Sequence, residues 1–176
     1  MSLATAGRSA MLAAFIALSA SGSGALAQQA GCQAEPLQNP PRTLLSCPNG
    51  VKIVAEEGTT FILEDLSSAP GPEAARLDSK ALLIEAPPGA VEGGFEVITP
   101  QAIAAVRGTR WAVDVAEGKT SVFVIEGRVA VTREAGTAGV ELGAGEGVDV
   151  EAGDAPLTVR RWGAPRVAAL MARFGE

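Results

Sequence analysis

Glycines recur through the second half of this chain at an almost constant interval. They fall at Gly108, Gly118, Gly127, Gly136, Gly145, Gly153 and Gly163, with gaps of 10, 9, 9, 9, 8 and 10 residues. Short alternating runs lie between them: Trp111 to Val115, Ser121 to Ile125, Arg128 to Val131, and Val148 to Glu151. Glycine enters the positive-φ turns that a Cβ would obstruct. Alternation with period two gives a strand one buried and one wet face. Turns at this spacing predict a stack of short strands and exclude an α/β enzyme core.

The N-terminus reads as an export signal over residues 1–27. Arg8 supplies the positive start, Ala10 to Ala20 the apolar stretch, and Ala25-Leu26-Ala27 a small-residue cleavage site. The apolar run is shorter than the about 20 residues a membrane span needs, so no retained span is expected. An uncleaved anchor, or a lipoprotein modified at Cys32 after Gly31, is the alternative; Gln29 and the distance from the apolar run disfavour the lipoprotein. Cleavage after Ala27 removes Arg8 and no acid, moving the formal charge from −6 to −7. An acidic chain gives no electrostatic case for nucleic acid or anionic lipid.

Cys32 and Cys47 are expected to pair in an oxidising compartment, free thiols being the alternative. Closing a loop of that length is worth roughly 3 kcal/mol. No C-x-x-C pair is present, so dithiol redox chemistry is not indicated.

Four segments follow: a signal at 1–27, an extended leader tied by the disulfide at 28–50, a β domain at 51–163 and a helix at 164–176. Strands are predicted at Val51 to Val54 and Thr59 to Leu63. Ala81 to Glu85 reads as strand, although helix formers from Glu73 onward leave a helix open until Pro87-Pro88 stops it. At the C-terminus, Pro165 suits a first helical turn, and Val167, Leu170, Met171 and Phe174 form one apolar stripe. This helix is expected to cap an open edge of the stack.

The chain contains no histidine and no tyrosine, which removes Ser-His-Asp and Cys-His catalysis and histidine-ligated zinc. Asp114, Glu126, Asp149 and Glu151 are candidate carboxylates for acid–base work, but they alternate with valines and read as a solvated face. Gly143 to Gly147 lacks the helix and the Lys-Ser/Thr pair of a phosphate loop, and Gly143 to Asp154 offers one copy where a calcium roll needs several. No cofactor and no metal are therefore expected. The densest signal is Arg107-Gly108-Thr109-Arg110-Trp111. Its structural reading is an arginine bonding loop carbonyls with Trp111 in the core. Its functional reading is a recognition edge where Arg107 meets a partner's carboxylates.

Thr99-Pro100 followed by Val106-Arg107-Gly108-Thr109, the run Thr120 to Val131, and the close Val140 to Glu146 together resemble the FecR domain, most firmly over residues 95–151. The resemblance implies an all-β extracytoplasmic domain, built as a short-strand solenoid or roll-like sandwich. In the family's signalling members the domain follows a cytoplasmic anti-sigma segment and one transmembrane helix, and it receives a signal from an outer-membrane transporter. Here the expectation is a stand-alone, non-catalytic periplasmic module for protein interaction, sensing or signalling, with an envelope protein as partner. The alternatives are a self-assembling structural protein and a cell-wall glycan binder. The resemblance lends no catalytic residues.

Overall fold

The structure, a computed structural model, describes residues 30–134, 136 and 139–176. The export signal expected at 1–27 lies outside the described residues. The described chain consists of strands and their connections, with one C-terminal helix. The strands are β1 (Gln33–Leu37), β2 (Arg42–Ser46), β3 (Lys52–Glu56), β4 (Thr60–Glu64), β5 (Ala74–Ala86), β6 (Phe95–Ile98), β7 (Ala102–Val106), β8 (Thr109–Ala116), β9 (Lys119–Glu126), β10 (Arg128–Arg133), β11 (Gly139–Gly143), β12 (Glu146–Glu151) and β13 (Arg160–Arg161). The helix is α1 (Ala164–Ala172).

They form one continuous sheet that curls into a half-barrel, and β5 is its fold line. The second half of β5, from Lys80, pairs with β3 and β8 in wing A, which runs β1-β2-β3-β5-β8-β9-β12-β13. The first half, to Ser79, pairs with β4 and β6 in wing B, which runs β4-β5-β6-β7-β10-β11. Lys80 marks the hand-over. It holds φ at +63, a left-handed value, beside the bulge between Thr60 and Phe61. Its ammonium donates to the Glu57 carbonyl at 2.5 Å, which ties down the residue that bends the strand.

Alternating side chains fill the space between the wings. Ile53, Leu82, Ile84, Trp111, Val113, Val122 and Val124 from wing A meet Leu77, Phe95, Val97, Val129, Val131 and Leu142 from wing B. The run Ala81-Leu82-Leu83-Ile84 is a strand, buried on both faces, which resolves the helix alternative. Its even members enter the main core. Its odd members, Ala81 and Leu83, join Ala112, Phe123, Leu170 and Phe174 in a second core under α1. A two-sided strand reads as a continuous apolar run, and this is why its period was ambiguous.

Two elements differ from expectation. Residues 33–46 form a β-hairpin, β1–β2, that joins the sheet through β3 rather than standing apart as a leader. The helix begins at Ala164 with Pro165 in its first turn, as expected, but it buries its apolar stripe on the outer face of wing A and does not cap an edge strand. Its apolar stripe has more area to bury against β5, β8 and β9 than along any edge strand. Among the described residues, no helix is long and apolar enough to cross a membrane.

Candidate functional site

Three of the glycine-paced turns, at Gly108, Gly127 and Gly145, carry the chain from one wing to the other. The β7–β8 turn is Arg107-Gly108, and the β9–β10 turn is Gly127. Gly108 holds φ at +67, and a Cβ on it would lie 2.7 Å from Pro88 Cγ. Gly127 holds φ at +86, and a Cβ there would lie 2.8 Å from the Gly108 carbonyl oxygen. The Thr109 hydroxyl donates to the Arg128 carbonyl at 3.0 Å. The two crossings are thus locked onto each other and onto Pro88 by close approach and one hydrogen bond.

The five residues of the Arg107–Trp111 motif separate by role. Gly108 and Thr109 form the lock. Trp111 is fully buried at the centre of the core, with its indole N–H unpartnered. Its volume outweighs the polar cost of that one donor. Arg110 pairs with Glu176 at the chain end. Arg107 is exposed, and its Nε reaches only the Gly93 carbonyl at 3.4 Å. It stands over a hollow of about 410 Å³ lined by Pro88, Glu92, Gly94, Phe95 and Gly108. A second hollow of about 410 Å³ lies across the turn, lined by Glu85, Pro87, Arg110 and Glu126. A guanidinium held this loosely keeps donors for an incoming carboxylate or carbonyl.

A staple missed in the sequence lies at the opposite end of β7. The Thr99 hydroxyl donates to the Ala102 carbonyl at 2.9 Å and accepts from the Ala102 N–H at 2.9 Å. It also meets the Thr120 hydroxyl at 2.8 Å, and Thr120 bonds the Gln101 side-chain carbonyl at 2.8 Å. Both threonines are buried. This network ties the β6–β7 turn of wing B to β9 of wing A. Thr120 sits 21 residues from Thr99, so no local pattern could reveal it.

The four candidate carboxylates do not assemble into an acid–base pair. Asp114 accepts two bonds from Arg173, at 2.8 and 2.9 Å, and Arg173 also donates to Glu56 at 2.5 Å. The Asp114 hydrogen bonds, opposed by burial and aided by Glu56, hold the Arg173 guanidinium above its ordinary range. Asp149 accepts from Arg166 at 2.5 and 2.9 Å and from Ser121 at 2.6 Å. Burial pushes the Asp149 carboxyl up, but the Arg166 and Ser121 bonds and the Arg166 and Lys119 charges outweigh it, so it titrates below its ordinary value. Arg166 lies 3.4 Å above the Trp162 ring, which stacks on Phe123 at 5.0 Å. Glu126 and Glu151 stay exposed; the Glu151 backbone carbonyl accepts from Arg133 at 2.6 Å. Two of the acids expected on a solvated face are therefore sockets for arginines of the helical segment.

Gly143 to Gly147 forms the β11–β12 crossing, where the Gly143 N–H donates to the Glu146 carboxylate at 2.8 Å. Cys32 and Cys47 are disulfide-bonded at the base of the β1–β2 hairpin. Among the described residues, no three histidine, cysteine or acidic side chains cluster as a metal site would need.

The profile of the FecR protein family matches residues 42–130, just over half of the chain, from β2 into the first half of β10. The chain belongs to the FecR protein family. The FecR match contains the Thr99 staple, the Gly108–Gly127 lock and Trp111, and it stops before β11 to β13 and α1. Two crystal structures of a candidate anti-sigma factor from Parabacteroides distasonis share the fold. At 2.50 Å resolution the TM-score is 0.59 with 16% identity, over 80% of this chain and 64% of the other. At 1.65 Å resolution the values are 0.59 and 16%, over 79% and 64%. This chain thus spans under two thirds of those proteins. None of the curated proteins compared with it matches.

Proposed function

We propose that this FecR protein is an exported, non-catalytic module that binds another protein of the cell envelope in a sensing or signalling role, with the Arg107 turn as its contact. The observation that carries the reading is the family match itself, which spans the turn and its lock. The disulfide fits an oxidising compartment such as the periplasm. The likeness to a candidate anti-sigma factor fits a regulatory role. The acids' engagement by arginines supports a non-catalytic reading, since Asp114 and Asp149 each spend their carboxylate oxygens on a guanidinium and not on an acid–base partner. The crossings between wings fit a roll-like stack, with the Gly108, Gly127 and Gly145 turns each handing the chain across the core.

Arg107 is the residue of the motif that the fold does not consume. The test is capture from envelope extract by immobilised native chain and by Arg107→Glu, with circular dichroism confirming that both are folded. A specific protein retained by the native chain and lost with the variant is the expected result. Equal retention by both would remove Arg107 from the contact, and no specific protein on either would sink the reading.

A further inference from the structure

We propose that the outer face of wing A is a receptor for an arginine-bearing amphipathic helix, occupied here by α1 and open to exchange with a partner protein's helix of the same pattern. Leu83, Ala112 and Phe123 lie inside the FecR match, and they make this outer face apolar. The element covering them, α1, lies outside it. The apolar face and its cover thus fall on opposite sides of the family boundary, while the Asp149 socket lies outside it with α1.

The cover is also weakly built. Nine residues is below the about 12–15 that an isolated helix needs, so α1 owes its order to the sheet. Gly163 provides no side-chain cap, and the first turn has no acid. Of α1 and its C-terminal turn, only Leu170 and Phe174 are buried. Upstream, β13 holds the segment by two residues, and residues 152–159 have no helix or strand.

Recognition comes from charge at each end of the apolar patch. Asp149 receives Arg166 on one side, and Asp114 with Glu56 receives Arg173 on the other. The pattern read by the face is therefore arginine, an apolar stripe, and a second arginine seven positions on. Acidic sockets on a chain of net charge −6 favour a basic partner helix over a second copy of the same acidic chain.

The inference rests on the reading of this protein as an interaction module, and its test separates the two. A labelled peptide of residues 160–176 is titrated into the full-length native chain and into the full-length chain carrying Arg166→Ala and Arg173→Ala. Hydrogen exchange over 162–174 reports whether α1 has lifted. The double variant is expected to lose that protection and to bind the peptide at least about ten-fold tighter than the native chain does. Adding Asp114→Asn and Asp149→Asn to it should reverse the gain. Unchanged protection in the double variant, no binding once α1 has lifted, binding indifferent to the two asparagines, or dimerisation through exchanged helices would each overturn the proposal. Those failures leave the Arg107 contact standing. Peptide binding without an Arg107-dependent partner would sink only the Arg107 contact.

Discussion

Replacing Gly127 with alanine should cost far more than the same change at Gly118, and the difference measures the lock between the two crossings. Both glycines sit at positive φ, +86 and +73, so each substitution incurs the left-handed penalty of roughly 1–2 kcal/mol. At Gly118 the new methyl meets nothing within 4 Å. At Gly127 it lands 2.8 Å from the Gly108 carbonyl oxygen, 2.9 Å from Thr109 Oγ1 and 3.2 Å from Thr109 Cα. The nearest obstacle is backbone, fixed from behind by Pro88, so it cannot swing aside. Overpacking of that kind adds about 1–3 kcal/mol. Gly127→Ala is therefore expected to lose about 2–5 kcal/mol and Gly118→Ala about 1–2. Urea unfolding followed by far-ultraviolet circular dichroism reads both, with m unchanged if the native fold survives. Losses equal within about 0.5 kcal/mol would show that the crossings are not locked, and the reasoning would be wrong.

Other expectations follow from the same geometry. Thr120→Val should cost about 1–3 kcal/mol, because it removes the buried hydroxyl that joins Thr99 to Gln101 and leaves the Gln101 side-chain carbonyl without that donor; a loss below about 0.5 kcal/mol in the same urea assay would dissolve the staple. Reducing the disulfide frees a loop of 15 residues and should lower stability by roughly 3 kcal/mol, seen as an earlier urea midpoint with reductant present. The Asp149 carboxyl titrates below its ordinary 3.8, so its contribution is complete above that pH and disappears as pH falls through the lowered value. Intrinsic tryptophan fluorescence, in which Trp162 reports α1 and buried Trp111 the core, should hold steady down to about pH 4 and change only below it; an Asp149-dependent step at higher pH would contradict the sign. Arg107→Ala should leave stability within about 0.5 kcal/mol, since its bond is long and exposed.

The strand stack and the family were legible because glycine spacing and period-two runs are local signals. The helix was legible too, from Pro165 and the Val167–Phe174 stripe. Its seat was not. The stripe says that α1 buries one face, but the face it meets is assembled from Leu83, Ala112 and Phe123, which come together only through the β5–β8–β9 pairing. The roles of Asp114 and Asp149 were hidden for the same reason, since their partners lie 59 and 17 residues away. One clue was present: Leu83 and Phe123 fall out of the alternation, on what should have been the wet face. The β1–β2 hairpin was hidden by its short polar strands, whose order depends on the neighbouring β3.

The central claim is that this FecR protein works by contacting another envelope protein through the Arg107 turn. A photo-crosslinking residue placed at position 107, and at position 118 as a control, would be activated in living cells, and the adducts identified by mass spectrometry. The account predicts an envelope protein crosslinked from 107 and absent from 118. Adducts from 107 only with the chain itself or with cell wall would contradict it, and would give the weight to a structural role.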